Sequence, residues 1–149
     1  MKKILLLVVF FLGVISVDAA TEKIYVGDKI PGMYIRKVSS DGNETVKQGG
    51  FIRRVSDNKA VYCVEPFVLL IDNYIYTSYT SDYANALNIS EDVWKKISLI
   101  AYYGYGYDNH TEDYWYYITQ MMIWREVDPD AEFYFTKTLG GENLSLIHI

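Results

Sequence analysis

The stretch YYITQMMIWREVDP, residues 116–129, predicts the end of an aromatic-rich amphipathic helix. Large apolar residues recur at spacings of three and four, which places the following residues on one face: Tyr116, Tyr117, Ile123, Trp124 and Val127. Asp128 and Pro129 stop the helix. Gln120 lies on the same apolar face, where a side-chain amide needs partners for its donors and its acceptor. The residue that engages this glutamine is therefore of interest.

Upstream of this stretch, the sequence predicts a first helix and a short connection. Ser90 is a suitable N-cap, and the apolar residues that follow it have helical spacing: Val93, Ile97, Ile100 and Ala101. Gly104 closes this helix, and Thr111 starts the second one. The tyrosines of YYGYGY, residues 102–107, fit either an edge where a target docks or a purely structural turn.

Residues 23–71 predict strands and turns. Four runs are rich in β-branched and aromatic residues: KIYV (23–26), MYIRKV (33–38), FIRRV (51–55) and AVYCV (60–64). Three turns separate them: GDKIPG (27–32), SSDGNE (39–44) and SDNK (56–59). The short spacing favours antiparallel neighbours. The sequence therefore predicts an α+β fold, with an antiparallel β-rich part followed by a helical part.

Cys63 is predicted to lie near the end of a strand. Alternation along KAVYCVEPF, residues 59–67, directs Cys63 and Val61 to one face of the strand. Tyr62 points to the opposite face. Pro66 ends regular pairing, because proline lacks the backbone N–H that a ladder requires.

Residues 1–19 predict a secretory signal peptide. Lys2 and Lys3 precede an apolar run over residues 4–17, and Val17-Asp18-Ala19 offers a small-residue cleavage pattern. The run is short for a transmembrane span, although an uncleaved membrane anchor is the alternative. In both cases we expect the mature domain to lie outside the cytoplasm.

Composition restricts the partners. The chain has 149 residues, about one domain, with 50% hydrophobic and 16% aromatic residues, which is typical of a folded protein. Its net charge of −5 includes no Lys/Arg-rich run, so no nucleic-acid partner is expected. His110 and His148 are the only histidines, and no cluster of soft ligands accompanies Cys63, so neither a metal nor another cofactor is expected.

Export makes the single cysteine informative, because small secreted domains commonly use paired cysteines as disulfides. This chain has one cysteine, which cannot form an intrachain disulfide. Cys63 is then an intermolecular disulfide partner, a reactive thiol, an inert buried residue or a thiol protected by another bond. Gln120 likewise either hydrogen-bonds a neighbour or reacts. A thiolate attack on its carboxamide, with loss of ammonia, would leave a thioester that joins strand to helix and explains both residues.

VYCVEP (61–66) and ITQMMIW (118–124) resemble the two motifs of the TQXA-type thioester domains of Gram-positive bacterial cell-surface adhesins. The order of the motifs, their placement on strand and helix and the export signal also match. Met122 stands where the family often has alanine, two places after Gln120. This departure removes neither reacting atom.

The resemblance implies that an internal thioester of Cys63 and Gln120 bridges the β-rich and helical parts. It implies a single-use reaction, not an enzyme, in which a lysine of a host surface or extracellular matrix protein attacks the thioester and forms an amide. Three residues would form the thioester pocket: Tyr62, Thr119 and Trp124. Core packing, and for Thr119 a bond back along its helix, are the alternatives.

The resemblance also implies a longer protein. We expect residues 22–149 to be the N-terminal thioester domain of that protein, with the C-terminal strands of the domain missing. Whether the last residues belong to the domain is left open. Cell-wall anchoring is expected through a missing C-terminal region.

Two other functions stay open. One is a noncovalent secreted carbohydrate- or protein-binding module, in which Cys63 and Gln120 only pack. The other is a cysteine hydrolase with His110 or His148 as its base.

Overall fold

The computed structural model describes residues 23–68, 70–71, 74–77 and 87–136. Five strands and two helices lie in these ranges: β1 (Lys23–Val38), β2 (Glu44–Arg54), β3 (Ala60–Val61), β4 (Ile75–Thr77), α1 (Glu91–Tyr103), α2 (Asp113–Val127) and β5 (Glu132–Thr136). The fold is α+β with an antiparallel sheet, as predicted. The predicted signal peptide, residues 1–19, lies outside the described residues. Within these ranges, no helix has the length and apolar character needed to cross a membrane.

The long strand β1 organises the sheet. β2 pairs along one edge of β1, from Ile24 opposite Arg54 to Val38 opposite Glu44. On the other edge, β4 pairs with the start of β1, and β5 pairs with its end. The two helices lie in sequence between β4 and β5, so both ends of the helical part return to the same strand.

The predicted turn at residues 27–32 is wrong, because β1 runs through it without a break. The runs KIYV and MYIRKV are parts of one strand, and β2 is long enough to pair with both. Register shifts between Val26 and Lys29, and between Lys29 and Tyr34, accommodate the additional residues. Such irregularities tolerate glycine and proline within a strand, which local turn signals do not reveal.

The other two predicted turns are confirmed. Between β1 and β2, the Ser39 backbone N–H donates to the Asn43 carbonyl at 2.9 Å, and Gly42 has a φ of +82°. Glycine adopts this left-handed conformation without a Cβ clash. Between β2 and β3, the Arg54 N–H donates to the Lys59 carbonyl at 2.9 Å. These two hairpins place β3, and the residues that follow it, beside β2.

Both ends of α1 are as predicted. The Ser90 hydroxyl accepts a hydrogen bond from the Val93 N–H at 3.3 Å, and Gly104 follows the last helical residue. Gly104 has a φ of −80°, so it does not adopt a left-handed conformation. A Cβ there would lie 2.3 Å from the Thr119 hydroxyl oxygen. Glycine is required because α1 approaches α2 closely.

α2 begins one residue later than predicted and is buried more extensively. Glu112, not Thr111, precedes its first residue, and the side chain of Glu112 does not cap it. The predicted end before Asp128 is confirmed. Ile118, Thr119 and Met121 are buried in addition to the predicted face, because α2 packs against both α1 and the sheet. A single apolar face therefore describes α2 incompletely.

The segment after β3 connects two core clusters. Val61 and Cys63 belong to a cluster with residues of β1 and β2, including Ile24. Tyr62 and Val64 belong to a second cluster, which the helices form together with residues of β1 and β5. The predicted alternation of side chains is confirmed, and Cys63 lies on the sheet side of the segment.

Tyr116 provides a test of how α2 holds the sheet. Its hydroxyl donates to the Val61 carbonyl at 2.8 Å and accepts from the Ile52 N–H at 3.1 Å. Tyr116→Phe removes both bonds inside the core, so we expect the free energy of unfolding to fall by about 2 kcal/mol in a denaturant titration. The control Tyr114→Phe changes an exposed residue at the start of α2 and should have an effect below about 0.5 kcal/mol. Equal effects of the two substitutions would show that the buried bonds contribute nothing.

Candidate functional site

The structure brings Cys63 and Gln120 into direct contact. The Cys63 N–H donates to Gln120 Oε1 at 2.8 Å, and Gln120 Nε2 donates to the Cys63 carbonyl at 2.7 Å. The side-chain amide of Gln120 thus pairs with Cys63 as a residue of a neighbouring strand would. Cys63 is 3% exposed and Gln120 is 4% exposed, so both residues are shielded from water. This pairing explains how a glutamine is accommodated among aromatic residues.

The pairing fixes the Gln120 carboxamide beside the residue that carries the thiol. Cys63 Sγ donates to the Glu65 carbonyl at 3.1 Å. Burial raises the pKa of the Cys63 thiol to about 12, so the thiol is protonated at neutral pH. Because the thiolate is the nucleophile, the proton must leave before or during an attack on the amide carbon.

A cavity of about 430 Å³ borders both residues. Its wall combines β1 and β2 with the segment after Cys63 and with α2, and includes Lys47, Phe67 and Trp124. This volume is within the range of sites that hold small ligands. The cavity therefore gives a small molecule room beside Cys63 and Gln120.

Tyr62 and Trp124 lie in the packing around the pair. Tyr62 stacks on Tyr116 with ring centroids 5.2 Å apart, and burial raises the pKa of Tyr62 to about 12. Trp124 packs against Phe67 and Phe133 at 5.4 and 5.8 Å and borders the cavity. Among the described residues, the buried Trp124 indole N–H has no hydrogen-bond partner. The site around Cys63 is therefore largely apolar.

Two roles were expected for Thr119, which are orienting Gln120 and hydrogen-bonding back along its own helix. The structure contains the second of these contacts. The Thr119 hydroxyl donates to the Trp115 carbonyl at 2.7 Å and accepts from the Tyr105 N–H at 3.0 Å. Thr119 thus fixes the connection between the helices to α2, one residue before Gln120. Neither of these two hydrogen bonds involves Gln120.

The family model of thioester domains matches residues 60–143, more than half of the chain, and the match includes Cys63 and Gln120. The chain belongs to the thioester domain family. Membership supports an adhesin-type domain that bonds covalently to a protein partner, and the α+β fold agrees with it. No curated protein and no solved structure matches the chain.

His110 lies in the connection between the helices of the thioester domain. Its Nδ1 is 2.9 Å from the Tyr103 carbonyl and 3.2 Å from the Gly104 carbonyl, and its ring stacks on Trp115 at 3.7 Å. These contacts hold the imidazole at the end of α1, and none of them involves Cys63. His148 lies outside the described residues. Among the residues described, no group of three or more His, Cys, Asp or Glu side chains is arranged to hold a metal ion.

Lys47 and Phe67 belong to the site of this thioester domain although sequence reasoning missed them. Lys47 Nζ donates to the Phe67 carbonyl at 2.5 Å and lies 5.4 Å from the centroid of its ring. Phe67 has a φ of +61°, a strained conformation for an aromatic residue. Lys47 therefore holds the strained turn that follows Cys63, and its charge partly offsets the effect of burial on the thiol pKa. No local sequence pattern indicates such a contact between distant residues.

The hydrogen bonds of Gln120 can be tested separately from any covalent bond. In a Cys63→Ala background, which removes the thiol but keeps the backbone partners, Gln120→Ala should lower the free energy of unfolding by about 2–4 kcal/mol. The cause is that two buried backbone groups lose their partner. Met122→Ala in the same background is the control, since Met122 is an exposed α2 residue at the position where the family often has alanine. Equal losses in a denaturant titration would contradict a structural role of the pairing.

Proposed function

We propose that Cys63 and Gln120 form an internal thioester, which the domain uses once to acylate a lysine of a host surface or extracellular matrix protein. The observation that carries this proposal is the two-bond pairing of the Gln120 amide with Cys63 in a buried site. The pairing uses backbone atoms of Cys63, and it holds the carboxamide beside the single residue of the chain that carries a thiol. Family membership supports covalent bonding, and the lysine target is our inference.

In the first step, Cys63 Sγ attacks the Gln120 side-chain carbon. The S–C bond forms, the C–N bond of the carboxamide breaks, and the nitrogen leaves as ammonia with the thiol proton. No oxidant or cofactor is needed, because the step is an acyl transfer. Preorganisation favours the step, since both reacting groups are already held in place.

In the second step, the neutral amine of a lysine attacks the thioester carbon. An amide to the former glutamine forms, the S–C bond breaks, and the amine proton passes to Cys63, which becomes a free thiol. Burial of the site supports a long-lived thioester, because water that reached it would hydrolyse the acyl group. The protein does not turn over, so it is a reactive binding domain and not an enzyme.

The proposed place of action is the bacterial cell surface. The signal peptide expected at residues 1–19 supports secretion, and the resemblance to Gram-positive adhesins supports cell-wall anchoring through a further C-terminal region. Covalent attachment is useful there, since an amide bond resists forces that dissociate noncovalent complexes.

The intact mass of the purified protein tests the thioester. The wild-type chain should be lighter than its sequence mass by one ammonia, and methylamine should add to it at Gln120. Cys63→Ala and Gln120→Ala should each have the full mass and capture no methylamine, while circular dichroism shows that they are folded. A wild-type chain of full mass that captures no amine would refute the proposal and favour the noncovalent binding module.

The raised pKa of Cys63 predicts how thioester formation depends on pH. Below a pKa of about 12, the fraction of thiolate rises about tenfold for each pH unit. Chain released from denaturant should therefore lose ammonia faster as the pH increases from about 6 to about 9, by up to about tenfold per unit. Acid quenching followed by mass measurement gives the rate. A rate that does not change with pH would show that free thiolate is not the attacking species.

A further inference from the structure

Three tyrosines form an exposed cluster at the connection between α1 and α2. Tyr102, Tyr103 and Tyr107 are 67%, 52% and 40% exposed. Their ring centroids lie 4.8 to 5.7 Å apart, and two of the three pairs meet edge to face. Exposed aromatic rings that pack mainly on one another contribute little to a core, so this tyrosine cluster needs another explanation.

The backbone beneath the tyrosine cluster is fixed. The Tyr107 N–H donates to the Gly104 carbonyl at 3.2 Å, and the Gly106 N–H donates to the His110 carbonyl at 2.8 Å. The imidazole of His110 contacts the Tyr103 carbonyl at 2.9 Å. The rings are therefore presented by an ordered turn, and a ligand would not have to order the loop to bind.

The surroundings of the tyrosine cluster are negative. Asp108, Glu112 and Asp113 are exposed in or beside the connection, and residues 97–124 contain no lysine or arginine. The last turn of α1, which carries Tyr102 and Tyr103, has no basic residue. The positive end of the α2 dipole lies at the same connection as the negative end of the α1 dipole, so the negative charge comes from the carboxylates. Aromatic faces in a negative field attract cations.

The connection is attached to the helix that carries Gln120. The Tyr105 N–H donates to the Thr119 hydroxyl at 3.0 Å, and the Tyr105 ring packs against Phe51 and Tyr116 at 5.3 and 6.0 Å. Thr119 directly precedes Gln120 in α2. A ligand on the tyrosine cluster would therefore be held on the same rigid unit as the reactive amide.

We propose that the tyrosine cluster is the docking surface for a basic segment of the partner protein, whose lysine and arginine side chains lie on the tyrosine rings while a neighbouring lysine reacts at Gln120. The inference rests on the proposed thioester chemistry and specifies the partner that it modifies. Charge complementarity selects this partner over an apolar or an acidic one.

The test compares three amines. The first is a peptide with one lysine flanked by arginines, the second has serines in place of the arginines, and the third is methylamine. The variant Tyr102→Ala/Tyr107→Ala removes two rings, and Tyr74→Ala is the control because it changes an exposed tyrosine outside the connection. Adducts at Gln120 that resist denaturant are quantified by mass over time.

We expect the basic peptide to couple faster than the serine peptide, and its rate to fall about tenfold in the double variant. The rates for the serine peptide and methylamine should not change, which also shows that the variant is folded. Added salt should slow only the basic peptide. Asp108→Asn/Glu112→Gln, which keeps all rings, should reduce the advantage of the basic peptide as well. Equal coupling of the two peptides, or an unchanged rate in the double variant, would overturn the inference.

A separate measurement distinguishes failure of docking from failure of the chemistry. Cys63→Ala cannot acylate, so binding of the basic peptide to this chain reports on docking alone. If the two tyrosine substitutions weaken this binding, the docking surface is supported even when methylamine does not react with the wild type. A failure of the methylamine reaction would refute only the thioester. The absence of such binding, with normal methylamine capture, would refute only the docking surface.

Discussion

The hydrogen-bond pair between the Gln120 amide and the Cys63 backbone is the contact on which the rest of the site depends. It joins the segment after β3 to α2 across 57 residues of sequence, and it satisfies polar groups that burial would otherwise leave unpaired. Tyr116 reinforces the same junction two residues before Cys63, through the Val61 carbonyl. The sheet and the helical part are therefore joined by hydrogen bonds where Cys63 and Gln120 lie.

The low polarity of this junction also determines its chemistry. Burial raises the pKa of both Cys63 and Tyr62, and charged forms of either residue are disfavoured. Lys47 also borders the cavity, and its ammonium group donates a hydrogen bond to the Phe67 carbonyl. Low polarity disfavours ionisation of the thiol and limits the access of water. In the proposed reaction it would protect the thioester and slow the ionisation that precedes the attack.

The sequence predicted those features that depend on neighbouring residues. Local chemistry marks the helix ends at Ser90, Gly104 and Asp128. The two motifs identify Cys63 and Gln120 as candidate site residues from the sequence alone. Residues 27–32 were misread because strand pairing with β2, a nonlocal contact, overrides a local turn signal. Lys47 and Phe67 were missed for the same reason. Their contact exists only after the hairpins fold, and the strained φ of Phe67 has no signature in its residue type.

The separation of Cys63 and Gln120 along the chain has a topological consequence. A bond between them would close a covalent ring that contains β4, α1 and the first part of α2, whereas β1, β2, β3 and β5 would stay outside it. Such a ring restricts the unfolded chain, and by the reasoning used for disulfides a ring of this size stabilises a domain by several kcal/mol, on the order of 4. In the proposed reaction the amine opens this ring at the moment when it binds. Capture of a partner and loss of the internal restraint would then be one event, and the attached domain would be more extensible than the domain that waits for its target.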